Sequence, residues 1–174
     1  YLVMELIMKR YFLSGLVIIS SSLFALNNHP SDDKIICVVS GDEINKSELS
    51  DHEFSSYREG KVYFCCGGCK MDFDESPAKF STNANFQLVT TGQYAQSGCP
   101  VTGKSRGHSH HTEKDIKKVT VKGVVVDLCC AGCLKKVNKS KDKYSMLFSD
   151  KAYDKGFDVP AKKAKTNKSK KNKK

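Results

Sequence analysis

Val62-Tyr63-Phe64-Cys65-Cys66-Gly67-Gly68-Cys69 has an echo later in the chain, Val126-Asp127-Leu128-Cys129-Cys130-Ala131-Gly132-Cys133. Both stretches are strand-like apolar runs that end in Cys-Cys-x-Gly-Cys. Each is preceded, well upstream, by a cysteine that opens a turn: Cys37-Val38-Val39-Ser40-Gly41 and Cys99-Pro100-Val101-Thr102-Gly103. The eight cysteines of the 174-residue chain divide four and four between the two units. The register continues past the cysteines, since Phe80 lies eleven residues beyond Cys69 and Tyr144 eleven beyond Cys133. Such a match marks an internal duplication.

Each repeat is about sixty residues long, and a unit of that size rarely buries enough apolar surface to stand without a metal or disulfides. In the first repeat, Ile35–Val39 reads as a short strand turning at Ser40-Gly41, and Lys61–Phe64 as a second strand. Lys70–Glu75 reads as a short helix that ends or re-caps at Ser76-Pro77. Phe73 and Phe80, seven residues apart, are expected to pack together under the site. Residues 86–91 read as a strand and 92–98 as a linker. In the second repeat a turn at Gly103 and an insert lead to a strand over 119–126 and a helix through Val137.

A strand that delivers Cys65, two glycines that let the backbone turn tightly, and Cys69 at a helix start together make a good ligand arrangement. The helix N-terminus favours the thiolate, the form that binds metal. Cys37 closes the site from a separate turn, and Cys99, Cys129 and Cys133 repeat the pattern. Cys66 and Cys130 either face away or complete a fourth position, and Ser40 and Thr102 stand where zinc knuckles often carry a second cysteine. Three sulfurs suit Cu(I); a fourth makes Zn(II) equally suitable. Two disulfides per unit are the alternative, with connectivity unreadable from sequence. His108, His110 and His111, in a Gly/Ser-rich insert unique to the second repeat, are either further ligands for Cu(II), Ni(II) or Zn(II) or a solvated loop. His29 and His52 receive no role. Cys66 to Cys69 and Cys130 to Cys133 have Cys-x-x-Cys spacing, but the extra cysteine and the missing βαβ pattern argue against a thioredoxin-like oxidoreductase. No catalytic set and no phosphate loop emerge, so the chain is not expected to be an enzyme.

The formal charge of +10 is unevenly distributed. Residues 31–90 carry six basic and eleven acidic residues, residues 97–160 thirteen basic and seven acidic, and residues 162–174 eight lysines and no acid. The Lys-rich tail is expected to be disordered and to bind polyanions or anionic surfaces weakly, with no specific nucleic-acid recognition. At the other end, Met8-Lys9-Arg10, the apolar run Tyr11–Ile19 and a cleavage region ending at Ala25 read as a secretory signal, or an anchor if uncleaved. Export to a periplasmic or extracytoplasmic space would put the cysteines in an oxidising compartment.

Cys37, Tyr63-Phe64-Cys65, Cys69, Phe73 and Pro77-Ala78-Lys79-Phe80 resemble the pattern of the YHS/TRASH family of heavy-metal-associated domains. Cys99, Cys129, Cys133 and Tyr144 carry the likeness in the second copy, where Asp127-Leu128 replaces Tyr-Phe and Val137 the helix aromatic. The resemblance implies a small α+β fold of two zinc-finger-like, treble-clef-like units, each of β-hairpins and a short helix. It also implies roles in metal trafficking, resistance or sensing, with a transport or resistance protein as partner. By that likeness Cys37, Cys65 and Cys69, and Cys99, Cys129 and Cys133, are the ligands, holding one Cu(I) or Zn(II) per repeat. The expected organisation is a leader over 1–26, repeats over 31–90 and 97–150, and a tail over 160–174.

Overall fold

Glycines and short apolar runs cut this chain into hairpins too small to form a large sheet, and helices fill the gaps between them. A computed structural model describes residues 33–105 and 113–160. The leader, the His108–His111 cluster and the Lys-rich segment from 161 onward lie outside those residues. In chain order the elements are β1 (Lys34–Ile36), β2 (Glu43–Asn45), β3 (Phe54–Tyr57), β4 (Gly60–Tyr63), α1 (Gly67–Glu75), α2 (Ser81–Thr90) and β5 (Ala95–Gln96). The second half follows with β6 (Lys117–Val121), β7 (Val124–Leu128), α3 (Ala131–Lys139), α4 (Lys143–Phe148), α5 (Asp150–Gly156) and β8 (Phe157–Asp158). The fold is small α+β, and among the described residues every sheet is a two-stranded antiparallel ribbon: β1–β2, β3–β4, β5–β8 and β6–β7. Among the described residues no helix is long and apolar enough to cross a membrane.

The expected single strand over 119–126 is instead a hairpin. Lys122 (φ +46°) and Gly123 (φ +82°) reverse the chain between Val121 and Val124, and Val119 then faces Val126. The β3–β4 hairpin reverses through a single left-handed residue, Arg58 (φ +54°).

The expected strand over 86–91 is helical, forming the end of α2 and its C-cap. Phe86-Gln87-Leu88-Val89 has strand-like composition, but Ala84, Asn85, Phe86, Gln87 and Leu88 are all buried. A helix covered on every side loses the alternation by which sequence reveals it. One side of α2 packs on β1 and β4, the other on α4 and α5. The expected linker that follows is equally structured. Tyr94 is buried against Tyr153 (ring centroids 5.2 Å apart), and β5 pairs with β8, Gln96 opposite Phe157.

The two halves therefore share a single apolar core, running from Ile35, Ile44, Phe64 and Phe73 through Phe86 and Leu88 to Leu128, Leu147 and Phe148. Phe73 and Phe80 do pack together, at 6.3 Å between centroids. Tyr144, the counterpart of Phe80, instead reaches across to Phe86 of α2 (5.2 Å). Polar groups seal the joint. The buried Asn85 donates through Nδ2 to the Phe148 carbonyl and to Asp150 (2.9 Å each), while its Oδ1 accepts from Arg58 Nε (2.9 Å). The Arg58 guanidinium also pairs with Asp150 and Asp154, and lies over the Tyr153 ring at 4.8 Å.

Candidate metal centre

Each centre joins a turn to a strand–helix junction. In the first turn the Cys37 amide donates to the Asp42 carbonyl (2.7 Å) and the Gly41 amide to the Cys37 carbonyl (3.1 Å). The second turn repeats this, Cys99 to Lys104 (2.9 Å) and Gly103 to Cys99 (2.7 Å). Both turns need a left-handed residue at the same step, supplied by Gly41 (φ +82°) and Gly103 (φ +75°), where a Cβ would be strained. Ser40 and Thr102 fill the same niche. Their hydroxyls accept from the amides of Asp42 (3.3 Å) and Lys104 (3.4 Å), and stand 3.3 and 3.4 Å from the sulfurs of Cys65 and Cys129. A hydroxyl thus replaces a second knuckle sulfur and supports the sulfur across the site.

At the junctions, β4 and β7 lead into Cys65 and Cys129, extended Cys66 and Cys130 cap α1 and α3, and Cys69 and Cys133 sit in the first helical turn. The Sγ atoms of Cys65 and Cys69 are 3.6 Å apart, those of Cys129 and Cys133 3.5 Å. Cys37, Cys65 and Cys69 form a triad whose sulfurs all lie within 4.8 Å of one another, as do those of Cys99, Cys129 and Cys133. The second triad is wholly buried, whereas Cys65 and Cys69 are half-buried. Cys66 and Cys130 fall outside the triads. Cys66 is exposed, 3.9 Å from Cys65; Cys130 is half-buried, 3.9 Å from Cys129 and 3.7 Å from Cys133. All eight thiols are free.

Crowding sets the charge on these groups. Burial pushes the Cys37 thiol up, but the Ser40 hydroxyl and the amides of Cys65, Ser40 and Val39 outweigh it and bring it down to about 7. Burial and the hydrogen bonds of Cys65 and Cys66, with the charge on Cys37, push Cys69 up to about 12. In the second triad Cys99 is lowered against its burial by the Cys129 amide and Thr102, while burial and Cys129 raise Cys133. Within each triad, then, the turn cysteine is held low while the two cysteines facing it are pushed up, partly by its charge. A soft cation removes that repulsion, and three convergent sulfurs suit one.

Two glutamines that sequence reading passed over hold the pieces of each centre together. Gln87 of α2 accepts from the Tyr63 amide (2.7 Å) and donates to the carbonyls of Tyr63 and Ile36 (2.9 Å each). Gln96 of β5 accepts from the Asp127 amide (2.9 Å) and donates to the carbonyls of Asp127 (2.6 Å) and Gly98 (2.8 Å). In both halves the amide grips the residue two before the strand cysteine and the residue just before the turn cysteine. The glutamines nonetheless come from different elements. A lone amide inside Phe86-Gln87-Leu88-Val89 was the available signal; Gln96 offered none. Gln87→Leu strands buried backbone groups and is expected to cost about 2–3 kcal/mol, checked by urea unfolding, with weaker metal binding in the first half. Unchanged stability would mean that solvent replaces the amide. His52 also contacts the junction through Nδ1, 3.2 Å from the Phe64 carbonyl, but belongs to neither triad.

No family model, curated protein or solved structure matches the chain. The functional reading therefore rests on the two sulfur clusters.

Proposed function

We propose that this chain is an exported, non-catalytic metal-binding protein of copper or zinc handling, built from two YHS/TRASH-like, zinc-finger-like units. Its carrying observation is that sulfurs from two remote segments converge in each half through the same local structure. Cys37, Cys65 and Cys69 hold one ion, and Cys99, Cys129 and Cys133 the other. The thiols lose protons as the ion enters, and the Ser40 and Thr102 hydroxyls and the turn amides stabilise the sulfur charge that remains. Cys66, exposed beside the first triad, is where a metal-transport or resistance partner would engage the ion.

The test is metal analysis with a free-thiol count on full chain purified under reducing, anaerobic conditions. The expected result is about two ions per chain, lost on mutation of the triads, with thiols free once metal is stripped. Metal-free protein with oxidised thiols and unchanged folding would replace this reading with a disulfide-stapled structural module.

A further inference from the structure

The two centres carry the same donors under different cover. A sulfur triad and one further cysteine at the helix N-cap, Cys66 or Cys130, recur in each. Cys129 and Cys133 are only 8% and 3% exposed, whereas Cys65 and Cys69 are half-buried and Cys66 is exposed. Two positions that differ between the repeats border these sulfurs. The residue after the helix cysteine is Lys70 in the first half, where it pairs with Asp74, and Leu134 in the second, where it packs against the core. The other position lies in the hairpins. Lys117 stands opposite Leu128, and the Glu53 carbonyl accepts from the amide of Phe64, the counterpart of Leu128. One step earlier, Ile116 therefore corresponds to His52. Ile116 lines a small cavity with Cys99 and Cys129, while half-buried His52 sets Nδ1 against the Phe64 carbonyl. Apolar side chains thus close the second site where polar ones border the first.

Resting on the metal-binding reading above, we infer that the first centre exchanges its ion with incoming thiol ligands while the second retains its ion as part of the core. In the exchange an entering thiol gives up its proton and its sulfur bonds to the ion. One triad sulfur leaves and takes up that proton, so charge balances and nothing is oxidised or reduced. Entry needs an open flank, because buried cysteines are inert towards outside reagents. Cys65 and Cys69 offer that flank, and Cys66, 3.9 Å from Cys65, holds the ion in place of the departing sulfur. At the second centre the same entry requires Leu134 or Ile116 to swing away, a local opening with its own free-energy cost. Cys130 lies 3.9 Å from Cys129 and 3.7 Å from Cys133, but the sulfurs it touches are buried, so it opens no path.

The experiment uses the full chain, reduced, anaerobic and loaded with Zn(II). Glutathione is the entering thiol, and a chromophoric chelator mixed in with it reports the zinc released in a stopped-flow trace. One ion is expected to leave at least about tenfold faster than the other. Cys37→Ser should abolish the fast phase and Cys99→Ser the slow one. Cys66→Ser should slow the fast phase severalfold without moving the slow phase, and Leu134→Lys should speed the slow phase severalfold without moving the fast one. A pulse of iodoacetamide on the wild-type chain, read by mass spectrometry once half the zinc has left, needs no variant to fold. It should label Cys37, Cys65 and Cys69 ahead of Cys99, Cys129 and Cys133. The inference is overturned if both ions leave at one rate, or if the second triad is labelled first or together with the first. Those results leave metal binding standing; a chain that takes up no zinc at either centre removes that reading as well.

Discussion

Cys99→Ser is expected to remove one bound metal ion and to lower the melting temperature of the whole chain, not of its second half alone. Cys99 is almost fully buried, and it belongs to the same core as Phe64 and Phe86 of the first half. Metal that binds only the folded state adds its binding energy to stability, about 4 kcal/mol when free metal is a thousandfold above the dissociation constant. For a chain of this size that is a drop on the order of 10 °C. The lost ligand also leaves Cys129 and Cys133 facing each other at 3.5 Å without a cation. The check is calorimetry of metal-loaded wild type and variant. A two-step curve in which only one step moves would show that the halves melt independently, against the continuous core.

Phe148→Ala should be the most damaging truncation away from the cysteines, at about 3–5 kcal/mol. Its ring is fully buried and lies 5.0 Å from Phe86, 5.7 Å from Tyr144 and 5.6 Å from Phe157. It therefore joins α2 to α4 and β8 of the second half. No single neighbour can move into the space without releasing another, so the cavity stays open. The same change at Phe54, which is 43% exposed, should cost less than about 1 kcal/mol. Denaturant unfolding compares the two through the midpoint at constant slope. Similar costs at both positions would mean that α2 does not couple the halves.

Spacing and residue type were enough to read both sulfur triads, the glycine turns and the Phe73–Phe80 contact, because each depends on local geometry repeated twice. The joint between the halves was illegible for the opposite reason. Arg58, Asn85 and Asp150 meet from three segments far apart in sequence, and nothing near any one of them names the others. Helix α2 was misread because burial on every side removes periodicity, and its Phe, Val and Thr content favours strands. Asp42 is one of eleven acids in the first repeat, and only the fold sets its carboxylate 3.8 Å from Cys65.

At Gly156 the end of α5 comes so close to Pro100 that a side-chain carbon there would lie within 3.0 Å of the proline, and its carbonyl takes the amides of Ser97 and Gly98. β8 follows at once and pairs with β5, whose Gln96 grips Asp127 two residues before Cys129. The last described strand is thus fastened, through β5 and Gln96, to the backbone that carries the second cluster. A chain shortened before Phe157 would therefore lose the partner that holds Gln96 in place, and with it the grip on the strand that delivers Cys129.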